Sequence, residues 1–215
     1  GVTPSLAATP NRISTLASGN LSMSKSTSFR PVGGSFYAHL FENRRTGTPL
    51  GLYWNFEVEF EPLVDGDGDE WPCNALIEWL SWPVRSWRQL DGCSLATATL
   101  VVEPEISVYA YSQHQPVAGA QFELSVLDAA RVHIQGRLSL DLEDLEGEIT
   151  SGCEIPFAAN LDFGGLIVMP DNLDSRTKDA AGASRALAQF IDLAEFDEPV
   201  FDERRWVFPL RSAAA

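Results

Sequence analysis

The sequence predicts a mainly β domain, a sandwich or a barrel, entered by an extended leader. Three observations carry this prediction. Several segments alternate apolar and polar residues with a period of two, the mark of a strand with one buried and one wet face. Pro and Gly fall between them at spacings of about 8–14 residues, too close for alternating βαβ units. The first 41 residues contain no acid and are rich in Ser and Thr, without the period of a helix or a strand.

Ser35–Phe41 opens the strand series. The clearest alternation follows at Tyr53–Glu61, with Trp54, Phe56, Val58 and Phe60 on one face and Asn55, Glu57, Glu59 and Glu61 on the other. Further strands are expected at Ser94–Glu103, Glu105–Ser112 and Ala120–Leu127, the last holding Phe122, Leu124 and Val126 inward. A long strand then sets Val132, Ile134, Leu138, Leu140 and Leu142 against an outer row of Arg131, His133, Gln135, Arg137, Ser139 and Asp141. Gly136 interrupts its apolar row, as at a bulge or a close backbone approach. Cys153–Ala158, Leu166–Met169 and Arg205–Leu210 complete the series. Two segments suggest helices instead. Asn74–Leu90 spaces Leu76, Trp79, Leu80, Val84 and Trp87 by three to four residues, broken at Pro83. Thr177–Ala194 aligns Ala183, Leu187, Phe190, Ile191 and Ala194, with Asp174 or Ser175 as its cap.

Charge narrows the function classes. The chain of 215 residues carries −15, and its leader holds only Arg12, Lys25 and Arg30, which leaves −18 on the remainder. Such a body repels a phosphate backbone, so at most weak RNA contact is expected, and only through the leader. No apolar run approaches the ~18 residues of a membrane-spanning helix. Cys73, Cys93 and Cys153 show no CxxC spacing and read as free thiols or small core residues. His39, His114 and His133 are scattered, so no Cys/His zinc site is expected, and no cofactor is called for. Phosphate-cradling glycine loops, GxGxxG, HExxH and GxSxG are absent, and the chain reads as a non-enzyme. The first residue, Gly1, suggests cleavage from a precursor or a tag.

Two acidic motifs remain. Asp65, Asp67 and Asp69 sit at alternate positions of a Gly-rich turn, a weak calcium candidate that lacks the EF-hand glycine and terminal Glu at the required places. The solvated turn is the preferred reading. Glu57, Glu59 and Glu61 form a carboxylate row that a basic strand face, Arg131/His133/Arg137, would neutralise.

The order of elements, with YWNFEVEFEP at 53–62, ISVYAY at 106–111, CEIPFAAN at 153–160 and DFGGLIVMP at 162–170, resembles the jelly roll of icosahedral virus capsid proteins. It is most similar to the small coat protein of comoviruses and relatives, secovirus-type members of the picorna-like group. The resemblance implies an eight-stranded antiparallel jelly-roll sandwich spanning 35–211, with two helical insertions, an arm at 1–34 and a tail at 212–215. It implies a structural subunit of an icosahedral virion, found in the virion and in host cytoplasm during assembly, partnered by other capsid chains and cut from a polyprotein before a glycine. Leu6, Ile13, Leu16, Leu21 and Phe29 of the arm are then candidate interface residues, as are Trp71, Trp82 and Trp87 of the body, for which a place in the core is the preferred alternative. The competing class is an acidic binding protein, such as an immunity protein capping a basic nuclease toxin. A hydrolase using dispersed carboxylates is a third.

Overall fold

A computed structural model of the chain describes residues 29–97, 104–140, 154–173 and 177–211. Nine strands appear in it: β1 (Pro31–Asn43), β2 (Thr48–Val64), β3 (Glu70–Leu80), β4 (Glu105–Ala110), β5 (Gln113–Val126), β6 (Arg131–Leu140), β7 (Glu154–Val168), β8 (Val200–Asp202) and β9 (Arg205–Phe208). The first seven pair in sequence order, each antiparallel to the next, and β7 returns to pair with β1. Seven is odd, so an up-and-down meander brings its last strand back parallel to its first. The result is a closed mixed barrel, and closure removes the unpaired edges of an open sheet.

This topology corrects the jelly-roll sandwich. A jelly roll pairs strands distant in sequence within each of two facing sheets, whereas here chain neighbours are sheet neighbours around the barrel except where β7 closes on β1. The all-antiparallel expectation also fails at β1–β7, where Ala38, His39 and Leu40 run alongside Leu166, Ile167 and Val168. β7 is one strand where two were expected. Its first half pairs with β6 and its second half with β9, and Gly165, at φ +97°, lies where the partner changes.

The expected helix over 74–90 is replaced by β3 and an irregular segment. Cys73, Ala75 and Ile77 point into the core with a period of two; the small Cys and Ala hid that alternation behind the larger side chains. Trp79 then adopts φ +68°, which shifts the register and turns Leu80 inward as well. Beyond β3, Ser86 caps a single 3-10 turn, Trp87–Leu90, in a capping box with Gln89. The segment continues along β5 beyond its pairing with β4: Gly92 N–H donates to the Leu124 carbonyl, Leu124 N–H to the Cys93 carbonyl, and Ser94 bridges Glu123. Of the expected strand Ser94–Glu103, Ser94 forms only that bridge, Leu95–Thr97 forms a 3-10 turn, and 98–103 lie outside the described residues.

The second expected helix exists but is shorter. α1 (Ala180–Leu187) is capped by Asp179, whose carboxylate accepts from Gly182 N–H; Ala183 and Leu187 bury its inner face, and Ile191 beyond its end is buried as well. Ala194 is exposed, and Asp174 and Ser175 lie outside the described residues. Arg85 donates to the Ala188 and Gln189 carbonyls at the end of α1, tying it to the segment that follows β3.

The barrel interior is filled by side chains. Phe36, Trp54, Phe56 and Trp87 are essentially inaccessible, and Phe163 meets both Phe36 (4.7 Å between ring centroids) and Trp87 (5.7 Å). Cys73 belongs to this core, and burial pushes its thiol pKa up to about 12. The inward row of β6 is as expected for Val132, Ile134, Leu138 and Leu140, while Leu142 lies outside the described residues. Gly136 is a close approach: a Cβ there would lie 2.1 Å from the Gln121 carbonyl oxygen.

Candidate functional site

The outer surface of β1–β4 is where the sequence and a simple barrel part company. In β1, Phe36, Ala38 and Leu40 face the core, yet the alternate residues Tyr37, His39 and Phe41 are also large and only partly exposed. In β2, Tyr53 and Asn55 belong to this outer face and are nevertheless 1% and 3% exposed. Pairing lays out the rows. His39 faces Tyr53; Tyr37 faces Asn55; Ser35 faces Glu57, which faces Leu76 and then Ser107; Glu59 faces Asn74, Tyr109 and His114.

One backbone feature organises the surface. Trp79, at left-handed φ, donates its N–H to the Asn55 side-chain oxygen (3.2 Å), while the Asn55 amide donates to the Tyr53 carbonyl (3.1 Å). That exchange explains a buried asparagine in an outward row: it satisfies the backbone the bulge displaces. The Trp79 ring then lies 4.6 Å from Phe41 and 5.9 Å from Tyr53, centroid to centroid. Tyr53 in turn covers Gly51, where a Cβ would come within 3.1 Å of the ring, and donates its hydroxyl to the Pro49 carbonyl.

Carboxylates border these aromatics. Glu57 accepts from the Asn74 amide (2.5 Å), and Glu105 accepts from the Trp79 indole N–H (3.4 Å). Glu78 is half-buried; desolvation raises its pKa, and the like charges of Glu105 and Glu57 add to the rise, against a lowering by His114. Burial raises the Tyr37 phenol, helped by Glu78 and Glu57. Burial also lowers His39 to about 4, with Arg205 contributing, so its imidazole is neutral at pH 7. Its Nε2 is buried with no partner among the described residues. The surface therefore offers partly buried Glu57 and Glu78, and exposed Glu105 on the Trp79 indole N–H, on the same sheet face as Tyr37 and Tyr109. Such an arrangement suits cationic side chains, through ion pairs and ring contacts.

The residues singled out from sequence are placed differently. Trp82 (5% exposed) and Trp87 (0%) take the preferred core placement, which corrects their candidacy as interface anchors: the segment after β3 folds them against Phe56, Phe36 and Phe163. Trp71 is partly exposed, and its indole donates to Asp65. Phe29 packs edge-on against Phe60 of the same chain, 5.7 Å between centroids. Leu6, Ile13, Leu16 and Leu21 lie outside the described residues. In the acidic turn, one oxygen of Asp65 accepts from the Asp67 and Asp69 backbones and the other from Trp71, so this carboxylate serves the turn. Asp67 and Asp69 are exposed, and no group of three or more His, Cys, Asp or Glu among the described residues is arranged to hold a metal.

Nor does the basic row of β6 meet the glutamates of β2. β2 pairs with β1 and β3, and β6 with β5 and β7. Arg131 pairs with Asp128, His133 with Asn160, and Arg137 with Gln121 and Glu154. The Glu row instead joins the aromatic face, which sequence reasoning missed. Its one legible signal was Phe36–Phe41, where both alternating sets are apolar or aromatic. No known protein family, curated protein or solved structure matches this chain.

Proposed function

We propose that this chain is an acidic binding protein whose outer β1–β4 face docks a basic protein surface. The observation that carries the reading is the placement of Glu57, Glu78 and Glu105 around Tyr37, Trp79 and Tyr109, on a body of net −18. Half-buried Glu78, disfavoured as an anion by its own surroundings, is relieved when a partner's guanidinium or ammonium arrives. Partner charge thus converts a local cost into binding energy. The net charge speeds encounter and makes the on-rate salt-dependent. No catalytic step is assigned to these residues.

A deca-arginine peptide is a defined probe. Its affinity, measured calorimetrically at low salt, is expected to fall at least tenfold in the triple variant Glu57→Gln, Glu78→Gln, Glu105→Gln. It should fall less than threefold when Glu123, Asp171 and Glu198 are neutralised instead. Equal losses in both triples would reduce the effect to net charge and defeat the reading.

A coat-subunit role is the second proposal, and it rests on the acid-free leader. The meander barrel withdraws the jelly-roll order that suggested it. Megadalton particles from the native source would favour it over the docking reading, and a small species would not.

A further inference from the structure

The sheet does not end where the barrel closes. β9 continues it from the second half of β7, and β8 lies outermost, with no strand among the described residues beyond it. Pairing lines up Leu40, Val168, Trp206 and Phe201 on one face, and His39, Ile167, Val207 and Val200 on the other. Each row leads out of the body to an exposed apolar end: Phe201 is 49% exposed and Val200 61%. Apolar side chains on both faces are the pattern of an interior strand, whereas edge strands are ordinarily blunted by charge or irregularity.

The main chain of β8 is also presented outward. β8 and β9 join through a two-residue loop, Glu203–Arg204, with Glu203 at φ +50°. In such a hairpin the closing pair, Asp202–Arg205, exchanges main-chain hydrogen bonds, and so does the alternate pair Val200–Val207. Phe201 between them therefore turns its N–H and C=O to the open side. Its ring lies 4.7 Å from that of Trp206, whose indole donates to the Thr177 carbonyl.

We propose that β8 is a self-association edge, to which a second copy of this chain adds its own β8 antiparallel about a two-fold axis, Phe201 opposite the partner's Phe201. Such an axis sets one residue opposite its own counterpart, so the possible registers differ only in which residue lies at the centre. Centring on Val200 sets Glu198 against the partner's Asp202, and centring on Asp202 sets two carboxylates face to face. Centring on Phe201 instead brings Glu198 opposite the partner's Arg204, and both side chains are exposed. It also matches the outward main-chain groups of Phe201 to those of its counterpart and joins Trp206, Phe201 and their copies in one aromatic row. The overlap is short and buries well under the ~1,000 Å² of a stable complex, so the dimer is a weak one that forms as concentration rises. This inference does not rest on the docking reading.

Sedimentation velocity of the full chain, from about 10 µM to about 1 mM, tests it. A monomer–dimer equilibrium is expected, and Phe201→Lys should raise its dissociation constant about tenfold or more by setting two ammonium groups together. Glu198→Arg and Arg204→Glu alone should each raise it about three- to tenfold, the scale of two exposed ion pairs turned to repulsion. Combined in one chain, the two reversals should restore dimerisation. All three side chains are exposed, and the charge pair carries the test if Phe201→Lys misfolds. A chain monomeric throughout, its edge closed by another segment of itself, would overturn the proposal. So would a dimer that the single reversals do not weaken, or one that the double reversal fails to restore.

Discussion

Replacing Gly136 with Ala probes the barrel wall at its tightest point. The new Cβ would stand 2.1 Å from the Gln121 carbonyl oxygen, 2.6 Å from Phe122 Cβ and 2.8 Å from Phe122 Cα. Two of these three atoms are backbone, so no rotamer change relieves the contact. Gln121 and Phe122 are held in the β5–β6 ladder opposite Arg137 and Gly136, and Phe122 packs 6.2 Å from Phe56 in the core. Separating the strands by about 1 Å strains the packing, at a cost of about 1–3 kcal/mol. It also weakens one or two ladder hydrogen bonds worth about 1 kcal/mol each. A loss of about 3 kcal/mol is therefore expected, which for a chain of this size lowers Tm by about 6–12 °C. Gly119→Ala is the matched control in the same strand pair, where the nearest atom to the new Cβ is 3.8 Å away on Ser139. It should change stability by less than about 0.5 kcal/mol, an ordinary surface effect. Urea denaturation followed by tryptophan fluorescence measures both. A Gly136→Ala variant within about 1 kcal/mol of the parent, or a Gly119→Ala variant equally damaged, would refute the close approach of β5 and β6.

Other perturbations address the core and the face. Trp87→Ala should cost about 3–5 kcal/mol as a core truncation, read from the same denaturation curves; a neutral result would return Trp87 to the surface. His39 makes stability rise with pH between about 4 and 6.5, because the unfolded chain takes up a proton there that the folded imidazole refuses. Its share is up to about 3 kcal/mol, and His39→Gln should flatten the pH–stability profile over that window. Glu78 acts oppositely, since its raised pKa makes the folded state hold the proton longer and stability fall as pH climbs past the usual carboxylate range. Glu78→Gln should accordingly raise Tm at pH 7 while weakening arginine-peptide binding; a lowered Tm would contradict the desolvation of that carboxylate.

Much of the strand framework was readable because each strand buries one face in one core. The inward rows of β2 and β6 follow directly from Trp54–Phe60 and Val132–Leu140. Closure was not readable, since nothing local to Ser35–Phe41 or Leu166–Met169 states that those strands pair with each other in parallel. β3 was lost because Cys73 and Ala75 fill inward positions with little apolar volume, while Leu76 and Trp79 mimic helical spacing. The candidate face was half legible. Its glutamate row stood out by alternation, but its aromatic half depends on Asn55 holding the left-handed bulge at Trp79, a contact between residues 24 apart in sequence. Trp82 and Trp87 show the converse limit. They fall in a segment whose helix-like spacing forms no helix, and only the fold of 81–93 turns them inward.

The docking claim is tested most directly by an amide NMR titration of the full chain with deca-arginine at low salt. Shift changes should concentrate on residues 35–41, 53–59, 74–79 and 105–109 and disappear in the Glu57/Glu78/Glu105 triple glutamine variant. Changes spread evenly over the acidic surface, or centred on β5–β7, would contradict a built site on the β1–β4 face.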